Sequence, residues 1–112
     1  MYYILSKSQK KIARAVMDKG LENHYSRALT DVEKIIQKWH LGKFANTREA
    51  YMKLYQAVKR NDNNIGRIYN DKGGSRWVEV MTMQLKDGVI TNEDLNEFDD
   101  EVRNIIINWS RV

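Results

Sequence analysis

Residues 84–98 read Gln-Leu-Lys-Asp-Gly-Val-Ile-Thr-Asn-Glu-Asp-Leu-Asn-Glu-Phe. Asp87-Gly88 is a turn dipeptide, and Gly88 can take the positive φ that closes a helix. Thr91 follows as an N-cap, with Asp94 where a capping box places its reciprocal acceptor. Asn92, Glu93 and Asp94 set polar and negative groups against the positive end of the next helix. Ile90, just ahead of the cap, is placed to pack on Leu95 as a hydrophobic staple. The stretch therefore predicts the end of one helix, a tight turn and the start of another. The chain around it should be built from helices joined by such turns.

The segment Asp87–Leu95 also resembles the second half of an EF-hand loop. An EF-hand needs oxygen ligands at its first and third positions and a bidentate Glu at its twelfth. Those positions are Met83, Leu85 and Asp94 here. Two of the three are apolar, so the stretch reads as a capped αα-turn and not as a calcium site. The same Asp-Gly-x-Ile-Thr-x-Glu-Asp-Leu shape resembles small prokaryotic helical-hairpin modules over too few residues to imply a family.

Composition points the same way. The chain has 112 residues, no proline and no cysteine. That length suits one domain able to bury about two thirds of its unfolded surface. Without cysteine there is no disulfide framework and no thiolate metal or iron–sulfur site. No apolar run approaches the ~20 residues that cross a bilayer, and the start, MYYILSKSQKK, has its apolar and basic parts in the wrong order for a secretory signal. The expectation is a cytoplasmic protein without membrane contact. The net charge of +4 conceals a division. Residues 1–60 carry 13 Lys/Arg against 5 Asp/Glu, and residues 61–112 carry 6 against 10. Such an asymmetry suits a partner of opposite sign, or two halves that attract each other.

Taken in order, the apolar periodicity predicts five to six short helices packed as an irregular bundle, all-α, over residues 1–112. The first runs from Ser6, with Leu5, Ile12 and Val16 inward, to a stop at Gly20. A second, with Leu29, Val32, Ile35, Ile36 and Trp39 inward, begins near Asn23 or at the capping box Thr30-Asp-Val-Glu33 and stops at Gly42. Thr47 caps a third, whose inward arc is Ala50, Tyr51, Leu54, Tyr55, Ala57 and Val58. The run Asn61–Asn64 competes with helical hydrogen bonding, so a separate short helix is expected from Asp62 through Tyr69. After the loop Asn70–Gly74, Ser75 caps a fifth helix with Trp77, Val78, Met81 and Leu85 inward. The last starts at the 91–94 cap and carries Leu95, Phe98, Val102, Ile105, Ile106 and Trp109 in one stripe, leaving Ile107 off it and exposed.

Several groups are candidate sites. Lys7, Lys10, Lys11 and Arg14 share one face of the first helix, and Lys34, Lys38 and Lys43 can widen it. Four or more cations on a face can neutralise phosphates, reading backbone and not sequence. Lys72-Gly73-Gly74-Ser75-Arg76 leads into a helix N-terminus, where free amides, small residues and two cations could hold an anion such as the phosphate of a nucleotide. It lacks the Walker spacing. Tyr2, Tyr3 and Ile107 are candidate partner-binding residues. His24 and His40 lack carboxylates at metal spacing. The acids Glu93, Asp94, Glu97, Asp99, Asp100 and Glu101 follow a solvent face without an acid/base pair in contrasting environments. The aromatic residues fall mostly on core arcs.

No nucleophile–base pair, metal cluster or cofactor motif emerges, so neither an enzyme nor a cofactor is expected. The first functional reading is a small binding protein whose basic half contacts nucleic acid non-specifically, as a regulatory or accessory factor. The alternative is a protein–protein interaction or homo-oligomerisation module. Nucleotide binding at residues 72–76 is the third.

Overall fold

The computed structural model describes residues 3–70 and 73–112, and every regular element among them is helical. Four α-helices run over Lys7–His40 (α1), Thr47–Tyr69 (α2), Trp77–Asp87 (α3) and Asp100–Ser110 (α4). Two short 3-10 turns cover Gly74–Arg76 and Glu93–Leu95. The all-α expectation holds, but four helices replace the five or six expected, because several local stop signals do not act.

Gly20 is the clearest of these. Helix α1 passes straight through it to His40. Gly20 is buried, and a Cβ built on it would lie 2.3 Å from the Gln84 Nε2. The glycine serves close approach to α3 and does not end a helix. Thr30 likewise starts nothing: its hydroxyl donates to the Ser26 carbonyl one turn back. The run Asn61–Asn64 stays inside α2, and the Asn61 amide donates to the Ala57 carbonyl at 3.0 Å. Each polar side chain binds its own helix instead of diverting it.

Other signals act as the sequence predicts. Gly42, at φ 69°, closes α1. Asp87 is the last residue of α3, and Gly88 follows at φ 75° in the left-handed region. Thr91 and Asp94 make a reciprocal capping box: the Thr91 amide donates to the Asp94 carboxylate at 2.7 Å, and the Asp94 amide to the Thr91 hydroxyl at 3.4 Å. It braces the chain at the 3-10 turn, whose own N-cap, Asn92, makes no side-chain cap bond. The last α-helix starts later, at Asp100, where the Asp99 carboxylate accepts from the Val102 amide. Helix α2 is capped by Asn46 and not Thr47, since the Asn46 side chain accepts from the Glu49 amide. Ser75 lies within a 3-10 turn, and α3 has no side-chain cap.

The chain divides into two compact units, Met1–Asn23 with Ile68–Val112, and His24–Arg67. The first holds the large-residue core. Leu5, Ala13, Val16, Val78, Met81, Ile90, Leu95, Phe98, Val102 and Ile106 are buried together. Burying a Leu, Ile, Phe or Met side chain contributes ~1.5–3 kcal/mol. Ile90 and Leu95, the expected staple, are both in it. Buried Gln84 joins α3 to this unit's helices, donating to the Met17 carbonyl at 3.0 Å and the Tyr69 hydroxyl at 2.8 Å. Trp109, expected inward, is half exposed.

The second unit is a helical hairpin made from the later part of α1 and most of α2. Ile35, Ile36 and Trp39 share a cavity with Thr47, Ala50, Tyr51 and Leu54. Tyr25, Ala28, Leu29 and Val32 share another with Val58, Asn61, Asp62 and Ile65. Residues far from the loop on one helix meet residues far from it on the other, so the pair is antiparallel. Its buried hydrophobic residues are only Ala50 and Ala57. Large side chains expected inward instead reach solvent, including Trp39, Tyr51, Tyr55 and Val58.

Candidate functional site

The hairpin His24–Arg67 concentrates the chain's positive charge. It carries nine Lys/Arg against four Asp/Glu, net +5, while the other unit carries ten against eleven, net −1. Side chains on a helix advance about 100° per residue. Arg27, Lys34 and Lys38 therefore fall on one flank of α1, turned away from the residues that line the two cavities. On α2, Lys53, Arg60 and Arg67 recur every seven residues and fall on the matching flank. All six are exposed. Asp31 and Glu49 are the acids on that side, so six cations face two carboxylates.

The opposite flank is apolar. Ile36 and Tyr51 line one groove together, and Leu29 and Val58 the other, with Tyr25 beside them. Tyr55 stands between Tyr51 and Val58 on α2. Leu29 is 71 % exposed, Tyr51 67 % and Tyr55 53 %, well beyond what packing side chains retain. The first groove encloses about 190 Å³ and the second about 240 Å³. The hairpin thus has one apolar and one basic broad face.

Four of the anticipated cations lie on the other unit. Lys7, Lys11 and Arg14 are exposed and Lys10 is half-buried. Ser6, Lys7, Ser8, Lys11 and Arg14 border one shallow concavity. The Arg14 guanidinium stacks over Trp77 at 5.2 Å from the ring centroid, an attraction available to a cation on an aromatic face. Lys34 and Lys38 belong to the hairpin face. Sequence reasoning missed Lys53, Arg60 and Arg67 as members, although their seven-residue spacing was a visible signal.

The remaining candidates fall in the other unit. Lys72 and Tyr2 lie outside the described residues. Gly73 is extended, and Gly74–Arg76 form the 3-10 turn. The Arg76 guanidinium pairs with Glu79 at 2.9 Å, so part of the charge proposed for an anion is engaged. Tyr3 is half-buried: it packs against the core, and its amide donates to the Ser75 carbonyl at 3.4 Å. Partial burial and the neighbouring Glu101 carboxylate hold its phenol above the ordinary value. Ile107 is half-buried against the same core.

The acidic segment has local duties. Asp94 accepts from the Lys19 ammonium at 2.5 Å, and this bond, with those from Thr91, holds its carboxyl below the usual range despite partial burial. Asp99 caps α4 and also accepts from the Gln9 amide. Asp100 pairs with Arg103. Within this unit, then, the acidic segment meets α1 through Gln9 and Lys19. Among the described residues, no group of three or more His, Asp or Glu is placed to hold a metal ion, and no helix is long and apolar enough to cross a membrane.

No protein-family model matches the chain, and no curated protein or solved structure is significantly similar to it. Its functional reading rests on the two hairpin faces.

Proposed function

We propose that this is a non-enzymatic helical binding protein that contacts nucleic-acid backbone through the basic face of the hairpin, as a regulatory or accessory factor. The observation that carries this reading is the line of Lys53, Arg60 and Arg67 beside Arg27, Lys34 and Lys38, with only Asp31 and Glu49 among them. A helical pair with cations along one flank matches the regular negative charge of a phosphate backbone. Each phosphate neutralised releases counterions, so affinity falls as salt rises. The face offers Lys and Arg heads without exposed aromatic platforms among them, which suits backbone contact and not base readout. The Lys7, Lys11 and Arg14 cluster is a second basic surface, with Lys10 at its edge.

The test is a mobility shift with duplex DNA and single-stranded RNA at low salt. Lys53→Glu with Arg60→Glu should weaken binding by tenfold or more, and Lys10→Glu with Lys11→Glu by less. The slope of log affinity against log salt should be about −0.9 per duplex phosphate contacted. No shift at low salt with either nucleic acid would discard the reading.

A protein–protein module is the second reading, and the exposed apolar flank favours it. Exposed contiguous apolar surface on a soluble chain marks an interaction site more often than chance. The two readings use opposite faces and are compatible.

A further inference from the structure

We propose that the apolar face of the hairpin is the contact between two copies of this chain, which close it into a four-helix bundle. The inference stands apart from the nucleic-acid reading, because it uses the other flank.

Two packed helices do not make a core. In this hairpin the only buried hydrophobic residues are Ala50 and Ala57, the smallest side chains able to fill that role. Trp39, Leu41 and Met52 are exposed elsewhere on the hairpin, but six further large apolar groups are gathered on one flank and exposed. They are Tyr25 (48 % exposed), Leu29 (71 %), Ile36 (39 %), Tyr51 (67 %), Tyr55 (53 %) and Val58 (40 %). Between the helices run the two apolar grooves, one beside Ile36 and Tyr51 and one beside Leu29 and Val58. A second layer of helices has ridges of the right kind to enter them. Helical pairs stacked through such faces form a four-helix bundle.

Area and charge both point to a second copy as the occupant. An aromatic side chain presents ~150–250 Å². Six large residues about half exposed therefore offer on the order of 500–600 Å² per copy, or ~1,000–1,200 Å² in a pair, enough to clear the ~1,000 Å² of a specific contact and just under the usual range of tight complexes. The charge is arranged for it too. A two-fold axis parallel to the helices lays α1 on the partner's α2, and turns both basic flanks outward. Arg27, Lys34, Lys38, Lys53, Arg60 and Arg67 then never face their own copies. The rim of the apolar flank carries both signs, with Glu33 and Asp62 against Arg48 and Lys59. A surface that is apolar at its centre and mixed at its edge is self-complementary, as an isologous contact requires. A strongly acidic partner would find its match on the basic flank.

Light scattering on the purified full-length chain across a hundredfold concentration range tests this. The wild type should reach twice the 13.2 kDa chain mass. Leu29→Glu and Tyr55→Lys, each at an exposed position, should return it to the chain mass with helical circular dichroism retained. Lys53→Glu, on the other flank, should leave the doubling intact. A measurement without variants protects the conclusion from folding failure: the wild-type thermal midpoint should rise with protein concentration, as it must when folding and association are linked. A wild type that stays at the chain mass, with a constant midpoint, overturns the proposal. So does a doubled mass that folded Leu29→Glu and Tyr55→Lys both preserve, which would put the contact elsewhere.

Discussion

At the scale of single residues, the contact between Gly20 and Gln84 decides how closely α1 and α3 approach. The Gln84 amide is fully buried and gives both nitrogen bonds away, to the Met17 carbonyl and the Tyr69 hydroxyl. Any Cβ at position 20 meets that amide. Gly20→Ala gains about 1 kcal/mol of helix propensity, but crowding a packed site costs about 1–3 kcal/mol. We expect a net loss of up to about 2 kcal/mol in urea unfolding, relieved when Gln84→Ala is added. Simple additivity of the two changes would show that the side chains do not meet. Asp94 is the second decisive residue. Its folded-state pKa lies below the ordinary 3.8, first because Lys19 bonds the carboxylate. The folded state therefore binds fewer protons than the unfolded chain, and stability falls with acid. The contribution is complete above about pH 4 and is lost as pH drops through the lowered value. Asp94→Asn should be less stable at neutral pH, with the gap narrowing below pH 4. A gap unchanged at pH 2 would remove the ionic explanation.

At the scale of elements, caps carry what packing does not. Helix α4 has eleven residues and starts from the Asp99 cap, whose carboxylate bonds the Val102 amide. Asp99→Ala should cost about 1 kcal/mol and lower the thermal midpoint without altering the helical content measured at 20 °C. A midpoint unchanged within error would mean that solvent replaces the cap at no cost. The sequence spoke plainly at several signals whose partners lie within four residues. The Thr91–Asp94 box, the Gly42 stop and the Asp87-Gly88 turn are all legible for that reason, and so is a further box at the start of α1, where the Ser6 amide donates to the Gln9 side-chain oxygen and the Gln9 amide to the Ser6 hydroxyl. The Gly20 stop failed for the opposite reason. Whether Gly20 ends a helix depends on Gln84, far along the chain, and no local pattern shows it. Thr30 and Asn61 had two local partners to choose from, and the continuing helix won. The apolar arc through Tyr51, Leu54, Tyr55 and Val58 was read correctly as an arc. Periodicity tells which side of a helix is apolar, but not whether a layer exists to cover it. The basic flank was half found, at Lys34 and Lys38, because its other half sits on the neighbouring helix.

At the scale of the whole molecule, the two units differ in what holds them. The unit containing Leu5, Met81, Leu95 and Ile106 buries large side chains, while the hairpin buries alanines. Opening free energies follow buried apolar contact, so they should differ between the two. Amides near Val78–Met81 and Val102–Ile106 should exchange slowest and report global unfolding. Amides of 25–39 and 47–60 should exchange faster in dilute protein, although they belong to the two longest helices. Helix length alone argues for the reverse order, since each added residue helps propagation. Tertiary burial should outweigh it, because a helix in water gains most of its stability from the face it packs. Raising the protein concentration should slow exchange in the hairpin and leave the other unit unchanged, as a second copy covers Leu29 and Tyr51. Equal protection in both units at high dilution would mean that the hairpin is stable by itself, and its exposed tyrosines would then need another explanation.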